Sequence, residues 1–152
     1  MRVTIAAVGR DRKSLFRDLY DTYAERLRWP IILREVEARS NRGGEVQRRE
    51  EGERLLVAVP QGALVIALDE SGKTLTSRGL ADWISRGMDD GMRDLALVIG
   101  GANGLDGDVL ARADLTLSLG RLTWPHLLVR GLVAEQLYRV QQIIVGHPYH
   151  RD

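Results

Sequence analysis

Apolar positions along this chain follow two rhythms that take turns. RVTIAAVG (2–9) is β-branched and alternates, which predicts a strand. SLFRDLYDTYAERLRW (14–29) places Leu15, Leu19, Tyr23 and Leu27 four apart, one face of a helix, and Pro30 ends it. IILREVEA (31–38) predicts a second strand. The polar stretch 39–53, with its Gly-Gly pair, predicts a mobile loop running into a helix that ends near Val59-Pro60. ALVIALDE (63–70) is a continuous apolar run, as expected of a buried strand. A short amphipathic helix follows over 76–91, with Ser77 as its expected cap. DLALVIGG (94–101) predicts a fourth strand, 103–113 a short helix and DLTLSLG (114–120) a fifth strand. The last helix runs from Pro125 to Val145 without an internal proline. Alternation of strand and helix predicts an α/β fold: a mainly parallel sheet of five to six strands with helices on both faces.

At 152 residues, one domain spanning 1–152 is expected. No apolar run approaches the roughly 20 residues that cross a bilayer, so no membrane role is expected. The apolar stretch near the N-terminus is too short for a secretory signal, which makes the cytoplasm the default location. The chain has no cysteine, so disulfides and thiolate metal sites are excluded. No cluster of His, Asp and Glu has metal-ligand spacing, and no metal is expected. Net charge is only +1, yet twenty arginines stand against two lysines. Arginine's planar fork suits phosphate and stacks on bases; the same bias also arises from GC-rich coding.

Ligands of open α/β sheets bind beyond the carboxyl ends of the strands. Three of those ends are unusual here. IGGANG (99–104) follows a strand and precedes a helix. Its glycines either let backbone approach a ligand or make a tight turn. The spacing is not that of the dinucleotide fingerprint. LDESGK (68–73) lacks the upstream glycine of a P-loop; Asp69, nearest the strand, is its best functional candidate. LSLGRLTWPH (117–126) carries His126, which is a ligand or base, or a packing or capping group. Ser118 has no G-x-S-x-G context, which argues against a hydrolase triad.

In the last helix Val129, Val133, Leu137, Val140 and Ile144 form one stripe, and Leu128 and Leu132 widen it. A helix apolar on more than one face needs more cover than its own sheet. Gly131 in its middle would let another backbone come close. Both features predict a homodimer.

Together LDE-GK, IGGANG, LSLGRLTWPH-LVR, EQLYR and the terminal HPYHR resemble, in order and across the whole chain, the bacterial ribosomal RNA large subunit methyltransferase H family of the SPOUT superfamily. The resemblance implies a SPOUT-type α/β fold with a C-terminal trefoil knot, a homodimer, and S-adenosylmethionine as cofactor. It implies methylation of N3 of a pseudouridine in helix 69 of 23S rRNA on the assembled ribosome. Carried over, the cofactor-binding residues are Leu68, Gly100 and the run Leu119, Gly120, Arg121, Leu122, Thr123 and Trp124. Arg139, Tyr149, His150 and Arg151 resemble the family's substrate-side, catalytic residues. Gly120 stands where the family often has serine, and the chain ends one residue past the arginine, at Asp152.

Methyl transfer from a sulfonium depends mostly on alignment. The N3 imide must lose its proton, so a base or a stabilising cation helps. The tail is expected to supply both, with His150 as proton acceptor and Arg151, together with Arg139, as phosphate or anion partner, which explains why it keeps such side chains. Two rival readings differ in class. A dimeric, non-catalytic RNA-binding module of the large ribosomal subunit would have no need of IGGANG and LSLGRLT together. An unrelated nucleotide-binding domain would bind ATP.

Overall fold

The computed structural model describes residues 1–39 and 42–149. Five strands form one parallel sheet: β1 (Arg2–Val8), β2 (Ile31–Val36), β3 (Leu64–Lys73), β4 (Asp94–Ile99) and β5 (Leu115–Leu117), in the order β2-β1-β4-β3-β5. All four pairings are parallel. Five helices alternate with the strands: α1 (Leu15–Ala24), α2 (Gly44–Ala58), α3 (Ser77–Asp89), α4 (Gly107–Arg112) and α5 (His126–Ile144).

Side chains of a strand alternate between faces, and the core splits accordingly. Val3, Ile5 and Ala7 of β1, with Leu95, Leu97 and Ile99 of β4, meet α1, α3 and α5 on one face. Ala6 and Val8, with Ala96 and Val98, meet α2 and α4 on the other. Both faces are therefore covered, which is why the central strands read as unbroken apolar runs.

Several expected boundaries move. The first helix ends at Ala24, five residues early, because the backbone N–H of Glu25 and Arg26 close its last turn onto Asp21 and Tyr23. The stretch expected to be a loop to 53 is helical from Gly44. Glu-rich i,i+4 pairing, as between Arg49 and Glu53, supports a helix whose apolar period is too weak to read. Thr76, not Ser77, caps α3: its hydroxyl accepts from Gly79 N–H at 3.0 Å. The fourth helix starts at Gly107 rather than 103, because 101–104 closes into a turn bridged between Gly101 and Gly104. The third strand continues through an irregularity, so that Lys73 as well as Leu68 pairs with Leu117.

Gly131 is also reassigned. A Cβ there would lie 2.6 Å from Leu19 Cδ2, so the glycine admits α1 of the same chain. The breadth of α5 is largely answered within the molecule: Val129, Val133, Leu137 and Val140 are buried against the sheet, α1 and α3.

Candidate active site

Parallel strands deliver all their exit loops to one edge. Beyond β3, β4 and β5 those loops enclose a hollow of about 410 Å³, within the usual range for ligand pockets of roughly 300–1,000 Å³. Its apolar wall is Leu68, Ile99, Leu117, Leu119, Leu122 and Val129. Its polar groups include Asp69, Glu70, Ser118, Thr123 and His126, and no lysine or arginine among the described residues lines it.

The walls are set mainly by backbone. Gly104 N–H donates to Gly101 O at 3.1 Å and closes the glycine turn. A Cβ on Gly100 would lie 2.8 Å from the Gly104 carbonyl, so this position must be glycine for the turn itself. Its φ is ordinary; the left-handed residues of these loops are Gly104 and Gly120, at φ 75° and 109°. That conformation suits glycine at 120, where a serine would be strained. Ser118 is not a free nucleophile: its hydroxyl donates to Gly120 O at 3.0 Å and accepts from Gly120 N–H at 3.2 Å. Asp69 accepts from the Ser71 backbone N–H at 2.9 Å and from its hydroxyl, fixing the turn after Leu68.

Of the residues expected to hold a cofactor, Leu68, Gly100, Leu119, Gly120, Leu122, Thr123 and Trp124 meet around this hollow. Arg121 sits in the same loop with its side chain exposed and outside the lining.

A second hollow of about 740 Å³ adjoins the first and shares Leu117 to Gly120 and Trp124 with it. Arg139 and Tyr149 line it, together with Glu135. Glu135 Oε1 accepts from Arg139 Nε at 3.0 Å and from the Tyr149 hydroxyl at 3.3 Å. The Arg139 guanidinium lies 5.1 Å from the centre of the Tyr149 ring, and Tyr138 meets that ring edge-on at 4.7 Å. Burial, then hydrogen bonding with Tyr23, pushes the Tyr149 phenol up to about 12. It keeps its proton at neutral pH and acts as a donor. Glu135 organises this group and was not singled out from the sequence, although its i,i+4 spacing to Arg139 was the available signal. The catalytic candidates His150 and Arg151 lie outside the described residues.

His126 lines the first hollow, half-buried. Burial and then the neighbouring Arg130 hold its imidazole below the ordinary histidine value, opposed by Glu51. Arg130, the arginine of the LVR motif, is 2% exposed. Its Nη1 pairs with Glu35 Oε1 at 2.7 Å, and its Nη2 donates to Val8 O at 2.8 Å and Gly9 O at 2.6 Å. It reads as one more helical arginine until the fold brings β1 and β2 to it.

Fold and site together define an α/β protein whose strand-exit loops form a pocket lined by carboxylates and apolar side chains, beside a tyrosine–arginine–glutamate group. A family model described as "Predicted SPOUT methyltransferase" matches residues 1–150. Ribosomal RNA large subunit methyltransferase H of Rhodospirillum centenum is 53% identical, covering 99% of both chains. The protein of that name from Paramagnetospirillum magneticum is 47% identical, again over 99% of each. That from Gluconacetobacter diazotrophicus is 50% identical over 97% of this chain and 95% of its own. The chain belongs to the SPOUT methyltransferases and, within them, to the ribosomal RNA large subunit methyltransferase H family. No helix of the described residues is long and apolar enough to cross a membrane. Among the described residues no group of His, Asp and Glu has the makings of a metal site.

Proposed function

We propose that the protein methylates N3 of a pseudouridine in helix 69 of 23S rRNA, on the assembled ribosome, with S-adenosylmethionine as donor. The observation that carries this reading is the chemistry of the first hollow. Among the described residues its lining has two carboxylates, an imidazole held toward neutrality and no lysine or arginine. Such a lining repels a polyphosphate and suits a nucleoside that bears positive charge. The relatives named for rRNA methylation, alike over nearly the whole chain, support the substrate class.

The bound cofactor supplies a methyl group already activated on a sulfonium. Leu68, Leu119 and Leu122 offer an apolar slot for a planar base, and the glycine turn at Gly100 admits close backbone approach. Trp124 borders both hollows and stands where cofactor and acceptor would meet. Arg139, held by Glu135, is a fixed cation able to stabilise an imide anion. Tyr149 keeps its proton, which leaves the proton-accepting role to His150, with Arg151 as anion partner. A homodimer belongs to the reading: the second hollow exposes Leu75, Trp124 and Leu132, a surface that a second copy would cover and complete. So does the trefoil knot. Its support is the match to the SPOUT methyltransferase family over residues 1–150.

The test is methyl transfer to ribosomes and to a naked helix 69 hairpin, with mass spectrometry of the product nucleotide. Ribosomes should be labelled at pseudouridine N3, and the hairpin poorly, because a net charge of +1 gives little general hold on phosphate. Deleting 149–152 should lower transfer at least about a hundredfold and leave calorimetric S-adenosylmethionine binding intact. Transfer to another atom, or none, would overturn the assignment.

A further inference from the structure

The proposed function leaves one elaborately supported segment without a role: the loop Gly9–Lys13, where β1 passes into α1. Its sequence, GRDRK, reads as a mixed-charge turn. The structure separates the charges. Asp11 is turned inward, 7% exposed, and its carboxylate accepts the Ser14 hydroxyl. Arg10 pairs with Glu37 at 3.0 Å. Arg12 and Lys13 are left pointing outward, exposed, and neither is paired with a described residue. Elsewhere much of the positive charge is cancelled locally, as by Glu53 and Asp94 on Arg49 and Arg2.

The loop is held from beneath. Arg130 binds the carbonyls of Val8 and Gly9, and Glu35, its ion-pair partner, accepts from Asp11 N–H at 2.9 Å. Gly9 N–H donates to Val36 O at 2.8 Å, and Arg17 reaches Asp11 O at 3.4 Å. Position matters as much. β1 is the sheet neighbour of β4, with Ala7 opposite Ile99, so this loop leaves the sheet beside the glycine turn of the cofactor pocket. The two exits touch: a Cβ on Gly101 would lie 2.8 Å from Val8 Cγ1.

From this we infer that Gly9–Lys13 is a preformed phosphate-binding arm, with Arg12 and Lys13 gripping the RNA backbone of the substrate whose base enters the adjoining site. The inference rests on the RNA-methylating reading above. A held backbone lowers the ordering cost of each contact. Arginine supplies a fork for one phosphate and lysine a point charge for another. Such contacts position a substrate without reading its sequence, which is what a small protein with little net charge needs near its pocket.

The experiment measures ribosome KM, kcat and their dependence on salt for the wild type and R12Q/K13Q. R49Q/R54Q removes two charges from α2 and serves as control. In R12Q/K13Q, KM should rise and the log–log salt slope should become shallower by about two, one per phosphate contact. Its kcat at saturation and its calorimetric S-adenosylmethionine affinity should not change. The control should keep the wild-type slope, as should the charge-keeping R12K/K13R. If the wild type methylates ribosomes and R12Q/K13Q keeps its KM and slope, the arm is refuted and the function stands. An equal slope change in R49Q/R54Q would likewise refute it, as a general charge effect. A wild type that methylates no rRNA would remove the function and the arm together.

Discussion

The edge of the sheet that carries the site is built in two ways. Where β1 and β2 leave it, the exits are fastened by side chains: Arg130, buried within α5, joins Glu35 and the carbonyls of Val8 and Gly9. Where β3, β4 and β5 leave it, backbone bonds close the Gly101–Gly104 turn and join Ser118 N–H to Lys73 O, and two short side chains, Asp69 and Ser118, hold only the turns beside them. Side-chain fastening fills the space beneath its loop with the buried Arg130 side chain. Backbone fastening leaves room, and there the cavity of about 410 Å³ opens. Rigidity at one end and vacancy at the other come from which atoms make the bonds.

Breaking the side-chain fastening should have the largest effect. Arg130→Met takes the cation from the half-buried Glu35 and the donors from the Val8 and Gly9 carbonyls, and should cost about 3 kcal/mol in denaturant unfolding. Adding Glu35→Gln should recover part of that loss. If the two ends are as distinct as they look, calorimetric cofactor affinity per folded molecule should fall much less than stability does.

The converse change targets the backbone-fastened end. Gly100→Val sets a side chain against the Gly104 carbonyl and forces the turn open. A wall displaced by about 1 Å should cost on the order of a hundredfold in S-adenosylmethionine affinity. The buried core does not depend on that turn, so thermal unfolding should change little. Unchanged affinity would show that the glycine turn is architecture alone.

Gly131→Ala sharpens the assignment of α5. Its Cβ would press on Leu19, and overpacking should cost about 1–2 kcal/mol. A double-mutant cycle with Leu19→Ala should show coupling between the two positions. If stability holds and the mass in solution halves instead, the glycine serves a second copy after all.

The smallest effect is one of pH. His126, at the border of the two ends, has its pKa lowered from 6.5 by burial and by Arg130. The unfolded chain therefore binds the proton more readily than the folded one. Stability should be fully present above pH 6.5 and decline as pH falls through that value. His126→Gln should flatten this slope between pH 5 and 7 in thermal melts. An unaltered slope would place the proton uptake elsewhere.

The alternation of strands and helices was legible because each strand carries its own apolar run and each helix its own period. Boundaries failed where a non-periodic signal decided them: ion pairs in α2, backbone closure after Ala24, the bridge at Gly101–Gly104. Many of the residues that line the first hollow could be named because they lie in short motifs at strand ends. Glu135 and Arg130 stand within the EQLYR and LVR motifs, but nothing in those motifs shows which partners the fold brings to them.

Local pattern, then, settled the order and kind of the elements, the three exit loops that bear the pocket, and the family to which those motifs attach. These rest on interactions between residues close in sequence, or on short motifs read in order. The tertiary structure alone decided that Gly131 serves Leu19, that Asp11 turns inward while Arg12 and Lys13 face out, and that Arg130 is buried. Each of those depends on partners brought from distant parts of the chain. The partners of Arg130, Glu35 and the Val8 carbonyl, lie 95 and 122 residues away from it, a separation over which no periodicity carries information.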